Sequence, residues 1–187
     1  MNARFVVRLL SAALWLLPVA LAAQTPTSDA PPADAPLTFL GFHPGAPLAE
    51  VSARVDSMDG ARLRCGRSRL DAQVTECRAL LSDPDLGGPV ELWLSAIDSV
   101  TGVLTLAGSV GADQLDHWRH LLESRYGRVG AKVQGTQWMM QWVRQGRMIR
   151  LTWRVQRGER LASVSLVDGR VLDAWHPARV IGTRGGR

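Results

Sequence analysis

The sequence predicts an α+β fold: a broad antiparallel sheet built from two helix-plus-four-strand halves, with both helices on one face. Three observations carry this. Apolar residues recur at spacings of three and four in two stretches only, after Pro47 and after Asp113. Each stretch is followed by segments in which apolar and polar residues alternate between Gly, Pro and Asp breakers, the period of half-buried strands. Each helix has one apolar stripe, so both can be satisfied by packing against one side of a sheet, which leaves the other side wet or free to bind.

Taken in order, LTFLGF (Leu37 to Phe42) reads as a short strand ended by His43-Pro44-Gly45. Pro47 suits the first turn of a helix whose stripe is Leu48, Val51, Val55 and Met58, with Gly60 as its stop. Four strands follow. Arg62 to Gly66 and Val74 to Leu81 form a first pair, each carrying a cysteine. Pro84 and Gly87-Gly88-Pro89 mark the turn into Val90 to Ile97, and a hairpin around Asp98 to Gly102 leads into Val103 to Val110.

The order then repeats. Asp113 can cap a helix in which Leu115, Trp118, Leu121, Leu122 and Arg125 or Tyr126 share a face, and Gly127 ends it. Trp138 to Val143 passes through Gln145-Gly146 into Arg147 to Val155, and Gln156 to Glu159 is the next turn. Leu161 to Val167 is expected to turn at Asp168-Gly169 into a last strand, Arg170 to Ala174, because Asp-Gly supplies the positive φ of a type I′ hairpin.

The N-terminus reads as an export signal. Arg4 and Arg8 precede the apolar run Leu9 to Leu21, and Ala20-Leu21-Ala22 is an A-x-A site for cleavage before Ala23, or one residue later before Gln24. A membrane span needs about 20 apolar residues, whereas this shorter run is interrupted by Pro18. Neither cysteine stands near the cleavage point, so no lipid attachment is expected, and Arg4 and Arg8 are not a twin-arginine pair. The chain therefore divides into a signal peptide (1–23), a Pro-rich disordered spacer (24–36), one domain of two similar halves (37–176, dividing near 110) and a disordered basic tail (177–187).

The doubled order of elements, and the opening GFHPGAPLAEVSARV with its apolar helix after a glycine, resemble the tandem architecture of β-lactamase-inhibitor-protein-like domains and the related envelope domains of the SmpA/OmlA type. The resemblance covers most of Leu37 to Trp175 at the level of element order. The lipid-attachment cysteine of the SmpA/OmlA group is absent. What the resemblance implies is a binding or inhibitory role for the open sheet face.

Cys65 and Cys77 are the only cysteines, and in an exported chain they are expected to pair. They lack the spacing of a redox motif and neighbouring histidines for zinc. His117 and His120 stand three apart beside Asp113 and Asp116, but the apolar stripe turns this cluster toward solvent and no third ligand group follows, so no metal or other cofactor is expected. His43 and His176 each precede a proline in a loop. No nucleophile elbow, H-E-x-x-H motif or phosphate-binding glycine loop is present.

The formal charge of +5 falls to +3 once Arg4 and Arg8 leave with the signal, and Lys132 is the only lysine. That arginine bias is ordinary for a GC-rich genome, and together with export it argues against nucleic acid. The strand MIRLTWRV is the most suggestive feature: Ile149, Leu151, Trp153 and Val155 alternate with Met148, Arg150, Thr152 and Arg154. Depending on register, a neighbour adds Trp138, Met140, Trp142 and Arg144, and Trp93 is a further surface aromatic. Arg and Trp together are the composition of binding hot spots, although arginine stems covering tryptophans also suffice to keep a one-sided sheet soluble. The sequence thus points to an exported binding module for an envelope or secreted protein, or a small anionic ligand, with Arg150, Arg154, Arg144, Trp142, Trp138 and Trp93 as candidate contacts. The alternatives are a small extracytoplasmic hydrolase whose site is assembled between the halves, and an envelope assembly factor.

Overall fold

The computed structural model describes residues 36–58 and 61–175. The segments read as a signal peptide and a basic tail, nearly all of the segment read as a spacer, Gly60 and His176 lie outside the described residues. The chain forms one eight-stranded antiparallel sheet with three helices, a mixed α+β fold. The elements are α1 (Leu48–Asp56), β1 (Arg64–Arg67), β2 (Val74–Asp83), β3 (Gly88–Ile97), β4 (Val100–Ser109), α2 (Ala112–Tyr126), β5 (Lys132–Gln134), β6 (Gln137–Arg144), β7 (Arg147–Gln156), β8 (Glu159–Asp168) and α3 (Gly169–Ala174). In space the strands run β1-β2-β3-β4-β8-β7-β6-β5, so β4 and β8 meet at the centre. None of the described helices is long and apolar enough to cross a membrane.

Alternation in the sequence becomes two unlike faces. On one, Ala79, Leu92, Leu106, Val164, Leu151 and Met140 form a row across six strands, and Cys77, Leu94, Leu104, Leu166, Ile149 and Trp142 form the next. All are buried, in one cluster with Val51 and Val55 of α1 and Leu115, Trp118, Leu122 and Tyr126 of α2. Each large side chain taken from water there contributes about 1.5–3 kcal/mol. Trp118 is the largest fully buried one; its indole meets Phe39 edge-on at 5.7 Å and donates to the Asp85 carbonyl at 3.3 Å.

The hairpins β3–β4, β6–β7 and β7–β8 close through Asp98-Ser99, Gln145-Gly146 and Arg157-Gly158, each with positive φ at both residues, the handedness that matches strand twist. A register shift between Ser95 and Ala96 lets Gly102 bulge from β4. A Cβ at Gly102 would stand 3.0 Å from Leu172 Cδ2, so the glycine admits α3.

Three local expectations are corrected. Leu37 to Phe42 is not a strand: the chain reverses at Leu40-Gly41 (φ 50 and 84), and Phe39 and Phe42 exchange both backbone hydrogen bonds at 2.9 Å. The apolar residues are there to plug the core, where Leu37, Phe39 and Phe42 are buried. Arg170 to Ala174 is not a strand either. Asp168 caps α3 by accepting from the Arg170 amide at 3.0 Å, so Asp-Gly starts a helix where a hairpin was expected. The short edge strand β5 precedes Trp138 instead. Asp113 lies in the first turn of α2, whose N-cap is Gly111.

Candidate binding face

The second face of the sheet is built from the residues that alternate with the core. Register places Arg64, Arg78, Trp93, Thr105, Ser165, Arg150 and Gln141 in one row, and Leu80, Glu91, Ala107, Ser163, Thr152, Met139 and Lys132 in the next. Small residues occupy the central strands and large ones the flanks. The centre is therefore a concavity of about 720 Å³ floored by Ala107, Gly108 and Ser163, with Leu80 and Arg154 at its sides. Hydroxyl pairs bridge the strands of this face, Thr152 to Ser163 at 2.7 Å in the concavity and Thr105 to Ser165 at 3.0 Å in the neighbouring row.

Of the residues proposed from sequence, three share this face. Arg150 donates from Nη2 to Gln141 Oε1 at 3.2 Å and contacts Met148 Sδ at 3.5 Å, and its Nε is buried with no hydrogen-bond partner. Arg154 is exposed beside Leu161. Trp93 is 39% exposed and level with Arg150, two strands intervening.

The other three stand on the core side, because Trp142 pairs with Ile149 and it is Gln141 that faces Arg150. Trp142 is 4% exposed and its indole donates to the Gly127 carbonyl at 2.7 Å. Arg144 lies over the Tyr126 ring at 5.3 Å. Trp138 stacks on Trp153 with centroids 6.3 Å apart. These three brace the end of α2 and the sheet corner and do not join Arg150 and Arg154.

Three arginines that the sequence did not single out do join the open face. Arg62, Arg64 and Arg78 line, with Leu80, Glu91 and Trp93, a depression of about 700 Å³ where β1 meets β2. The signal was present: a Cys65–Cys77 bond between neighbouring strands forces Arg64 opposite Arg78. The two cysteines do pair in the structure, with Cα atoms 4.0 Å apart. Among the described residues no carboxylate lies within ion-pair distance of Arg62, Arg64, Arg78, Arg150 or Arg154.

Among the described residues the one buried carboxylate is elsewhere. Asp168, 1% exposed, accepts from Arg147 Nε at 2.8 Å and from Arg170 Nε and Nη2 at 3.2 and 3.1 Å. Burial alone would raise its pKa, but the hydrogen bonds and charges of Arg170 and Arg147 outweigh it and hold the value at about 2. With every acceptor engaged, this group ties β7, β8 and α3 together and is a poor base.

Among the described residues, no three His, Cys, Asp or Glu side chains come together as metal ligands. His43 bonds Glu50 at 2.8 Å. His117 and His120 are exposed on α2. His117 shares a shallow depression of about 360 Å³ with Asp85, but no hydrogen bond joins the two. Compared with family models, curated proteins and solved structures, the chain matches none.

Proposed function

We propose that the protein is an exported binding module that holds an anionic partner, a protein or a small ligand, against its open sheet face. The observation that carries this is the row Arg64, Arg78, Trp93, Arg150: guanidinium groups without carboxylate partners, beside an exposed indole and a concave floor of small residues. Arginine binds carboxylates and phosphates through two parallel hydrogen bonds, and Trp and Arg supply most of the anchoring energy at protein interfaces.

The overall design supports the reading. The succession α1, β1 to β4, α2, β5 to β8, with sheet order mirrored about β4 and β8, is what two helix-plus-four-strand halves would produce, and one core cluster containing both helices agrees with their lying on one face. This is the arrangement implied by the resemblance to β-lactamase-inhibitor-protein-like and SmpA/OmlA-type domains. Export through the segment 1–23 would deliver the chain to an oxidising compartment, with which the Cys65–Cys77 bond is compatible.

The test is affinity capture of envelope components by the wild-type protein and by an Arg150→Ala, Arg154→Ala variant. The variant should capture less, while its thermal midpoint stays within about 2 °C, as for most surface substitutions. Equal capture by both would remove these residues from the contact.

A further inference from the structure

We propose that the corner where β1 meets β2 is a binding site for a free organic anion, its carboxylate or phosphate head held by Arg64 and Arg78 and its apolar body lying against Leu80 and Trp93. This rests on the reading of the open face as a recognition surface and locates its anion-holding end.

The first observation is a conflict in the strand pairing. Arg64 and Arg78 stand directly opposite each other, and like charges so placed destabilise a sheet. Glu76 and Glu91, on the diagonals of this pair, make no ion pair with either. The repulsion is built in, because the adjacent register pair is the disulfide Cys65–Cys77, which keeps β1 from sliding away. An oxyanion between the two guanidinium forks would turn the conflict into charge-assisted hydrogen bonds.

The second observation is the cavity. Its volume of about 700 Å³ falls in the range of small-molecule sites, and Arg62 adds a third cation to its lining. Leu80, 62% exposed, and the partly exposed Trp93 form an apolar wall that an inorganic ion would leave bare. The complement is therefore an anion with a ring or short alkyl body. The depression is open to solvent and has room for one whole small molecule, so we assign a free anion, and the vesicle arm of the test below separates it from a lipid headgroup of the same chemistry.

Titration calorimetry of the protein purified from cells that export it, with phenyl phosphate as probe, tests this. Phenyl phosphate should bind saturably and more tightly than inorganic phosphate. Arg64→Gln and Arg78→Gln should each weaken it roughly 10- to 100-fold, the range for hydrogen bonds to a charged group, with Arg78→Lys restoring only part. In buffer free of phosphate and carboxylates Arg78→Gln should melt no lower than wild type, since it removes a repulsion, and phenyl phosphate should raise the midpoint of the wild type more than that of either Gln variant. Absence of saturable binding, full affinity in both Gln variants, or binding only to phosphatidylglycerol vesicles would overturn the proposal. The two readings separate cleanly. Loss of partner capture in the Arg150, Arg154 variant with no effect at Arg64 and Arg78 removes this site and keeps the open-face reading, whereas no effect of either pair removes both.

Discussion

Asp168 offers the most quantitative test of the structure. Replacing it by Asn preserves an acceptor for the Arg170 amide but removes the charge that Arg147 and Arg170 share and points an amide donor at their guanidinium groups. The size follows from linkage. A carboxyl titrating at 3.8 in the unfolded chain and at about 2 in the folded one binds its proton more weakly when folded. Each pH unit of that difference is worth roughly 1.4 kcal/mol, so the charge contributes about 2.5 kcal/mol at neutral pH. The Arg170 side chain is 58% exposed, and solvent screening there trims the figure to about 2 kcal/mol.

The sign is fixed. A depressed folded value means that the stabilisation is complete above the unfolded pKa of 3.8 and is lost as pH falls toward about 2. Asp168→Asn should therefore lower the thermal midpoint at neutral pH by roughly 6–10 °C, given the size of the domain, and the gap from wild type should close between about pH 4 and pH 2. Circular dichroism melts across that range measure it. A variant melting within about 2 °C of wild type at neutral pH, or two curves that stay parallel down to the acid limit, would refute the assignment of Asp168 as a clamped, ionised carboxylate.

Other outcomes follow from the same structure. Replacing both cysteines by Ser should cost about 3 kcal/mol in denaturant unfolding, the chain-entropy figure for a short loop, and β1 should lose amide-exchange protection before β3 or β4 does. Trp118→Ala should cost about 3–5 kcal/mol, because the indole is fully buried and its N–H engaged; a stability loss under about 1 kcal/mol would show the site to be loosely packed. N-terminal sequencing of the exported protein should begin at Ala23 or Gln24, and an unprocessed Met1 would contradict the reading of residues 1–23 as a cleaved signal.

Period and punctuation made most of the sheet legible. The strands from Val74 to Val167, apart from the short edge strand β5, are legible to within a few residues because hydrophobic alternation and the turns at Asp98, Gln145 and Arg157 agree locally. The failures occur where a local signal served a distant partner. The short apolar run Leu37 to Phe42 has the composition of a strand yet is a turn that fills the core, with Phe39 against Trp118. Asp168-Gly169 has the composition of a hairpin, but Arg147 recruits the carboxylate and α3 uses it as a cap. On the face itself, whether Trp142 stands beside Arg150 depends on register, which residue type does not reveal. One step of register sends Trp142 into the core and puts Gln141 beside Arg150. Arg64 and Arg78 could have been found from the cysteines, whose bond fixes that register.

The meeting of β4 and β8 at the middle of the sheet has a consequence for how the chain can fold. β4 finds β3 through a two-residue turn, and residues 45–48 bond the start of its other edge at Ser99 and Thr101, but from Val103 onward that edge is covered by β8, about 60 positions later along the chain. Until β8 has been made and released, β4 presents an unpaired edge from Val103 to Ser109, a template for pairing with other chains. Such long-range closure slows folding, so the two hairpin groups should form early and dock late. Truncation before Leu161 should consequently yield an aggregating chain and not a smaller soluble domain, and a factor that shields the β4 edge during synthesis or export should raise the yield of the full-length protein.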